Sequence, residues 1–357
     1  MEQLKVSSRP FRILSIDGGG LRGIVAVEML KYIEKEIFGN VNTSNKTILD
    51  SFDLIAGTST GGLLACAMTT PDDSGNPMFS LDDIANIYEI HGKDIFPQPL
   101  SNRLSRWFKS KKEYIRPKYN STGLKSVLEN KLGDKRIIDT LKPIFVPAYD
   151  ITNFRPIYFS SRDSYMSTSQ TSNNPQNFNY KLADICLATS AAPTYFPSFP
   201  FNYPDSRGNN TVINCIDGGI YLNNPAMAAY YEVLANQSFY RRDGNPIKEE
   251  DIYILSIGTG NISKSVSHRD GQKWGKLGWA KNAIHASMLG TSQTIVDQLD
   301  PQKRFLRINV DLENKFSELD DCSIEAFNYL KNDVCKTNLG NSVLQNKIRT
   351  FKNLANL

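Results

Sequence analysis

Residues 52–62, Phe-Asp-Leu-Ile-Ala-Gly-Thr-Ser-Thr-Gly-Gly, constrain the fold more than any other stretch of the chain. An apolar run ends in Gly-x-Ser-x-Gly, and a run of small and apolar residues from Leu63 to Met68 follows. This pattern predicts a strand, a tight turn and a helix in succession. Gly57 and Gly61 let such a turn close without Cβ clashes, which thrusts the serine between them out of the backbone. The N-terminus of the following helix then lies near the hydroxyl and favours developing negative charge. Ser59 is the candidate nucleophile; the alternative is an ordinary glycine-rich turn with an idle serine.

The same pattern occurs once before. Phe11 to Ile16 reads as a short apolar strand that runs into Asp17-Gly18-Gly19-Gly20-Leu21-Arg22-Gly23, and a helix follows with Ile24, Val27, Leu30 and Ile33 on one face. Gly18, Gly20 and Gly23 fit Gly-x-Gly-x-x-Gly, so a dinucleotide site is the obvious rival. That site needs an acidic residue closing the second strand, whereas this strand ends in Ala56-Gly57-Thr58-Ser59, and Asp17 would repel a pyrophosphate. The better expectation is an oxyanion hole. Gly18, Gly19 and Gly20 offer backbone N–H groups with no side chain in the way, each worth roughly 3–4 kcal/mol to a tetrahedral intermediate.

Further along, Lys142 to Tyr149, Arg155 to Ser160, Thr211 to Ile216, Ile252 to Ile257 and Phe305 to Val310 read as strands. Helical patterns cover 81–95, Lys181 to Ala188, Ala226 to Ala235, Ala280 to Leu299 and, interrupted near Gly340, the tail from Ser323. The Ser/Asn/Thr/Gln-rich stretch Asp163 to Asn179 reads as an exposed loop. Strands separated by helices imply a mostly parallel sheet with helices on both faces. Asp217 closes one strand and is followed by Gly218 and Gly219, at the sheet edge where ligands bind in open α/β folds. The small residues Ser190 to Ala192, followed by Tyr195 and Phe196, suggest close backbone approach beside an acyl pocket, or simply a tightly packed connection.

Leu100, Leu104, Trp107 and Phe108 fall on one helical face, with Arg103, Arg106, Lys109, Lys111 and Lys112 between and after them. Three readings stay open: a basic amphipathic helix on an anionic membrane, a helix packed on the domain with a solvated basic face, or a pocket for an anionic ligand. A net charge of +4 over 357 residues argues for no nucleic-acid partner. No apolar run is long enough to span a bilayer, and residues 1–8 lack the apolar centre of a secretion signal. Cys66, Cys186, Cys215, Cys322 and Cys335 are scattered without metal-ligand spacing, which suits reduced buried thiols and a cytoplasmic location, with peripheral membrane contact as an option. No His-Glu-x-x-His, Cys/His cluster or Asp-rich calcium loop is present, so no metal or other cofactor is expected.

Asp-Gly-Gly-Gly-Leu-Arg-Gly at 17–23, Gly-Thr-Ser-Thr-Gly at 57–61 and Asp-Gly-Gly at 217–219 occur in the order found in patatin-like phospholipases. Residues 190–197, Asn-Asn-Pro at 223–225 and 255–260 are also similar to patatins, so the resemblance spans about residues 10–310. It implies a three-layer α/β/α sandwich on a modified α/β-hydrolase-like sheet, while residues 72–140 read as a cap-like insertion and 311–357 as a helical extension that the family motifs do not cover. It implies hydrolysis of fatty acyl esters of phospholipids, galactolipids or acylglycerols without calcium, with Ser59 as nucleophile, Asp217 as base and Gly18–Gly20 as oxyanion hole. Arg22 matches the family's arginine, and Gly57, Gly61, Gly218 and Gly219 support the turns. Activation by a small molecule or by oligomerisation, and a non-catalytic lipid-binding role, remain alternatives.

The chain order Ser, Asp, His would also suit a histidine triad through His268 or His285, but both sit in stretches that read as surface or packing positions, as does His91. An unperturbed aspartate, at a pKa of about 3.9, is a poor base for a serine hydroxyl. Asp217 is therefore expected to be sheltered from water, which raises its pKa, and to bond directly to Ser59.

Overall fold

The computed structural model describes residues 10–39, 46–97, 116–168, 178–205, 207–240, 245–262, 267–299, 304–334, 338 and 340–357. The segment carrying Arg103, Leu104, Arg106, Trp107, Phe108 and Lys109 lies outside the described residues, as does Cys335.

Two strand–turn–helix units open the chain: β1 (Phe11–Ile16) with α1 (Gly23–Phe38), then β2 (Leu54–Gly57) with α2 (Thr60–Thr69). Helices α3 (Leu81–Ile95) and α4 (Thr122–Leu132) follow, then β3 (Ile144–Asp150), β4 (Arg155–Ser160), α5 (Ser161–Thr168) and α6 (Leu182–Thr189). The antiparallel pair β5 (Phe199–Pro204) and β6 (Asn210–Asp217) leads into α7 (Ala226–Ala235), β7 (Ile252–Ile257) and the two-residue β8 (Asn261–Ile262). Short α8 (His268–Lys273), long α9 (Lys276–Leu299), β9 (Phe305–Ile308), β10 (Asp311–Leu312), α10 (Ile324–Asn328) and a final helix, Ser342–Leu354, complete the chain.

The main sheet runs β5-β6-β3-β2-β1-β7-β9, with β4 also on β3. Pairing is parallel from β3 through β2, β1 and β7 to β9, and antiparallel in β3–β4, β3–β6 and β5–β6. Strand residues alternate between two cores, as the pleat requires. Phe11 and Ile13 of β1 pack with Leu54, Ile252, Phe305, α7 and Ile295 of α9 on one face. Leu14 and Ile16 pack with Ile55, Val146, Ile257 and helices α1, α2, α3 and α6 on the other. The chain is a three-layer α/β/α sandwich with a mostly parallel sheet. Ile348 and Phe351 of the final helix join the second core, and the Arg12 guanidinium donates to the Ala355 carbonyl at 2.7 Å.

Two segments depart from the sequence expectation. Residues 161–168, expected within or beside a polar loop, form α5. Its buried positions are Ser161 and Ser164, and the Ser167 and Thr168 hydroxyls donate to the Ser164 carbonyl, so the helix shows no apolar stripe to read. Residues 169–177 of that stretch lie outside the described residues. Strand β5 was masked by Pro200 and Pro204, which the sheet tolerates because β5 is its edge strand.

One pairing decides the site. Ala148 of β3 faces Ile157 of β4 on one edge and Asp217 of β6 on the other, and Phe145 likewise faces Ser160 and Ala56. Strands β2 and β6 therefore share a single edge of β3, approaching from opposite ends. Pro147, which has no N–H to leave unpaired, stands where they meet.

Candidate active site

Ser59 follows the end of β2 and caps α2 with φ 53° and ψ −121°, a left-handed conformation uncommon for a residue with a side chain. The turn around it is as tight as the motif demands. A Cβ at Gly57 would lie 2.0 Å from the Gly61 carbonyl oxygen, and one at Gly61 would lie 2.2 Å from the Ile16 carbonyl oxygen. The Ser59 N–H donates to Thr189 Oγ1 at 2.9 Å, and the Thr189 hydroxyl donates to the Pro147 carbonyl at 2.7 Å. That threonine thus fills the gap between β2 and β6 that no strand pairing closes.

Asp217 arrives at the same place from the end of β6. Its N–H donates to the Ala191 carbonyl at 3.0 Å, the close approach that small residues at 190–192 permit. Ser59 Oγ donates directly to Asp217 Oδ2 at 2.6 Å, and the Gly219 N–H donates to Oδ1 at 2.7 Å. Asp217 is 5% exposed, and burial pushes its pKa from 3.8 up to about 6, against the two hydrogen bonds that pull it down. Gly218 packs on β3, where a Cβ would lie 2.4 Å from the Pro147 carbonyl oxygen.

The glycine loop after β1 forms the facing wall. The Gly18 N–H is committed to the Asn223 carbonyl at 3.1 Å, so it is not a free donor as the run of three glycines suggested. The N–H groups of Gly19 and Gly20 have no acceptor among the described residues. The Thr259 hydroxyl anchors the loop by donating to the Gly18 carbonyl at 2.7 Å. Asp17 does not face the serine: Arg307 grips its carboxylate bidentately at 2.7 and 2.5 Å. Arg22 is buried at 5% exposure, its Nε lies 3.4 Å from the Gly19 carbonyl, and burial lowers its pKa to about 10.

Two cavities flank this loop. The first contains Ser59 and Asp217 and is mostly apolar, walled by Leu63, Ile95, Phe96, Tyr195, Phe196 and Met288 among others; no histidine lines it. Tyr195 and Phe196 thus stand where the sequence suggested an acyl pocket. The second has a volume of about 310 Å³ and a mixed lining, polar at Arg22, Asn223, Thr259, Gln293 and Arg307 and apolar at Ile262, Leu289, Val296 and Leu319. His285 lines this second cavity, His268 opens α8 at the surface, and His91 pairs with Asp94 at 3.0 Å on α3. Among the described residues no three His, Cys, Asp or Glu side chains converge to hold a metal ion. No described helix is long and apolar enough to cross a membrane.

Sequence reasoning did not single out Thr189, Asn223, Thr259 or Arg307 for these contacts. A charged residue in the middle of the apolar run Phe305-Leu306-Arg307-Ile308 was the signal for Arg307. Thr189 and Thr259 carried no signal of their own beyond lying next to glycine and small-residue motifs.

Comparison with known proteins places the chain in a family. A sequence model described as patatin-like phospholipase matches residues 14–230. Patatin-like protein 1 of Arabidopsis thaliana is 34% identical over 335 residues, covering 92% of this chain and 78% of its own length. Patatin-like protein 2 of Oryza sativa subsp. indica is 34% identical over 343 residues, covering 89% of this chain and 81% of its own length. Among solved structures, human GIVD cytosolic phospholipase A2 is similar over 99% of this chain and 62% of that chain, at 10% identity and a TM-score of 0.45.

Proposed function

The chain belongs to the patatin-like phospholipase family and is a lipid acyl hydrolase; on that premise we propose that it releases fatty acids from membrane phospholipids through a Ser59 acyl-enzyme, with Asp217 as the base and without calcium. The observation that carries this reading is the direct 2.6 Å bond between the two side chains inside a mostly apolar pocket.

An aspartate with a pKa near 6 is mostly ionised at neutral pH yet basic enough to take the serine proton. Ser59 Oγ attacks the ester carbonyl as its proton moves to Asp217. The Gly19 and Gly20 N–H groups supply the oxyanion donors, helped by the N-terminal end of α2. The protonated Asp217 then gives its proton to the departing glycerol oxygen, leaving the acyl group on Ser59. The acyl chain occupies the pocket beneath Tyr195 and Phe196. Residues 10–310 form the catalytic domain in this reading, with 72–140 as its cap and 311–357 packed on it. The enzyme works from the aqueous side of the bilayer, its contact with the surface coming from Leu104, Trp107 and Phe108 together with Arg103, Arg106 and Lys109.

The test is fatty-acid release from mixed anionic and zwitterionic phospholipid vesicles in the presence of EDTA. Wild type and a His268→Ala/His285→Ala double variant should both release fatty acid. Ser59→Ala and Asp217→Asn should fall by at least about a thousandfold. Loss of release in EDTA would overturn calcium independence, and loss in the histidine variant, with the fold intact, would overturn the dyad.

A further inference from the structure

Hydrolysis has a second half that the apolar pocket does not serve. Once an acyl chain fills the pocket it excludes water from that side, and the water that cleaves the acyl-enzyme needs another approach. The second cavity, of about 310 Å³, lies on the other side of the glycine loop; its lining is mixed, and Asn223, Arg22, Thr259, Gln293 and Arg307 give it polar groups that the first pocket lacks.

Asn223 is 6% exposed, and its Oδ1 has no hydrogen-bond partner among the described residues. Leaving a buried amide oxygen unpaired costs about 1–3 kcal/mol, so its position needs a reason. Its orientation is set by its neighbours. Asn223 Nδ2 donates to Ser292 Oγ at 3.2 Å, and the Ser292 hydroxyl points on to Asp17 Oδ2 at 3.5 Å, so the amide nitrogen faces α9 and the oxygen faces the reacting centre. The place of that oxygen is bracketed by two glycines. A Cβ at Gly219 would lie 3.0 Å from Asp217 Oδ1 and 3.2 Å from Asn223 Oδ1. A Cβ at Gly18 would lie 2.5 Å from Asn223 Oδ1 and 3.3 Å from Ser59 Cβ. The amide oxygen thus shares one small space with the nucleophile and the base.

We infer that Asn223 is a catalytic residue of the deacylation step, holding the attacking water between its Oδ1 and Asp217 and drawing it from the second cavity. The inference rests on the Ser59–Asp217 reading above. In the acyl-enzyme, Ser59 Oγ is an ester oxygen and no longer donates to Asp217 Oδ2. A water that donates one proton to Asp217 and the other to Asn223 Oδ1 has a lone pair left for the acyl carbon. Attack forms the new C–O bond as the first proton passes to Asp217. Collapse of the tetrahedral intermediate breaks the bond to Ser59 Oγ, which takes the proton back from Asp217. The products are the free fatty acid and the Ser59 hydroxyl. Gly18 donates to the Asn223 backbone carbonyl, so a side-chain substitution leaves that loop contact in place.

The experiment is stopped-flow hydrolysis of a p-nitrophenyl acyl ester by the full chain, with intact-protein mass measured during turnover. Asn223→Ala should keep the fast release of one p-nitrophenol per enzyme while steady-state turnover falls by about a hundredfold, the effect expected of a misplaced reactant. KM should fall with kcat, and an acyl adduct should accumulate on Ser59. Ser292→Ala, which frees the Asn223 amide without touching the dyad, should show the same split on a scale of about fivefold. It decides the matter if Asn223→Ala does not fold. Equal losses in the fast phase and the steady state, unchanged turnover, or no adduct would overturn the inference and leave Asn223 a structural residue. Turnover that persists in Ser59→Ala would instead bring down the acyl-enzyme itself, and the deacylation role with it.

Discussion

The nucleophile and its base come from two differently built halves of one sheet. Ser59 belongs to the parallel half, where β2 and α2 are joined by a turn whose positive φ, glycines and helix start lie within residues 57–62, with only the Ile16 carbonyl and the Thr189 hydroxyl reaching it from elsewhere. Asp217 belongs to the antiparallel margin, where β6 reaches the site only because it shares an edge of β3 with β2. The first half is a short turn that holds strain. The second is an assembly of distant strands, and it holds a desolvated charge instead. The lesson is that the two halves store their cost in different forms, backbone strain for the nucleophile and pKa for the base.

Substitutions separate the two. Gly61→Ala strikes the strained half hardest, because its Cβ would sit 2.2 Å from the Ile16 carbonyl oxygen, a backbone atom that does not yield cheaply. It should abolish fatty-acid release and lower unfolding stability by about 3 kcal/mol or more in urea titration. A Gly61→Ala variant with native stability would show that the turn is not under the constraint described.

Asp217→Asn should act in opposite directions on the two properties. Activity is lost, but stability at neutral pH rises. A carboxyl whose pKa goes from 3.8 to about 6 on folding binds its proton more tightly in the folded state. Its penalty is absent below about pH 4, grows as pH rises through the folded pKa and is complete above it, at no more than about 3 kcal/mol. The variant should therefore melt above wild type at pH 7.5 and with it at pH 3.5. For the same reason wild-type kcat/KM should climb about tenfold per pH unit up to about pH 6 and then level off. A lower melting temperature at pH 7.5 would place the cost of the base elsewhere.

Thr189→Val tests the seam between the halves. It removes the acceptor of the Ser59 N–H and the donor to the Pro147 carbonyl while keeping the shape. Two buried backbone groups left unpaired predict a loss of about 1–3 kcal/mol, read by thermal unfolding, with a smaller fall in activity than either dyad variant gives.

Much of the nucleophile half was legible in the amino-acid order. The spacing of Gly57, Ser59 and Gly61, the small residues after them and the repeated strand–glycine–helix unit all act within a few residues of each other, and local sterics need no partner to be read. The order of the motifs carried the family, and Asp217 was legible as an acid closing a strand before two glycines. Strand β5 and helix α5 escaped, the one because prolines are tolerated only at a sheet edge that sequence does not mark, the other because its polar faces carry no apolar period.

Tertiary structure alone decided what depends on several elements converging. It withdrew the Gly18 N–H from the oxyanion donors by pairing it with Asn223, turned Asp17 away onto Arg307, and aimed the Asn223 amide by way of Ser292. It also brought Ser59 and Asp217, 158 residues apart, to a 2.6 Å bond. The physical reason is the range of the forces involved. Backbone sterics and glycine spacing act along the chain, and the sequence displays them. Desolvation, hydrogen-bond direction and the sharing of one strand edge act across space, and they exist only after the sheet has closed.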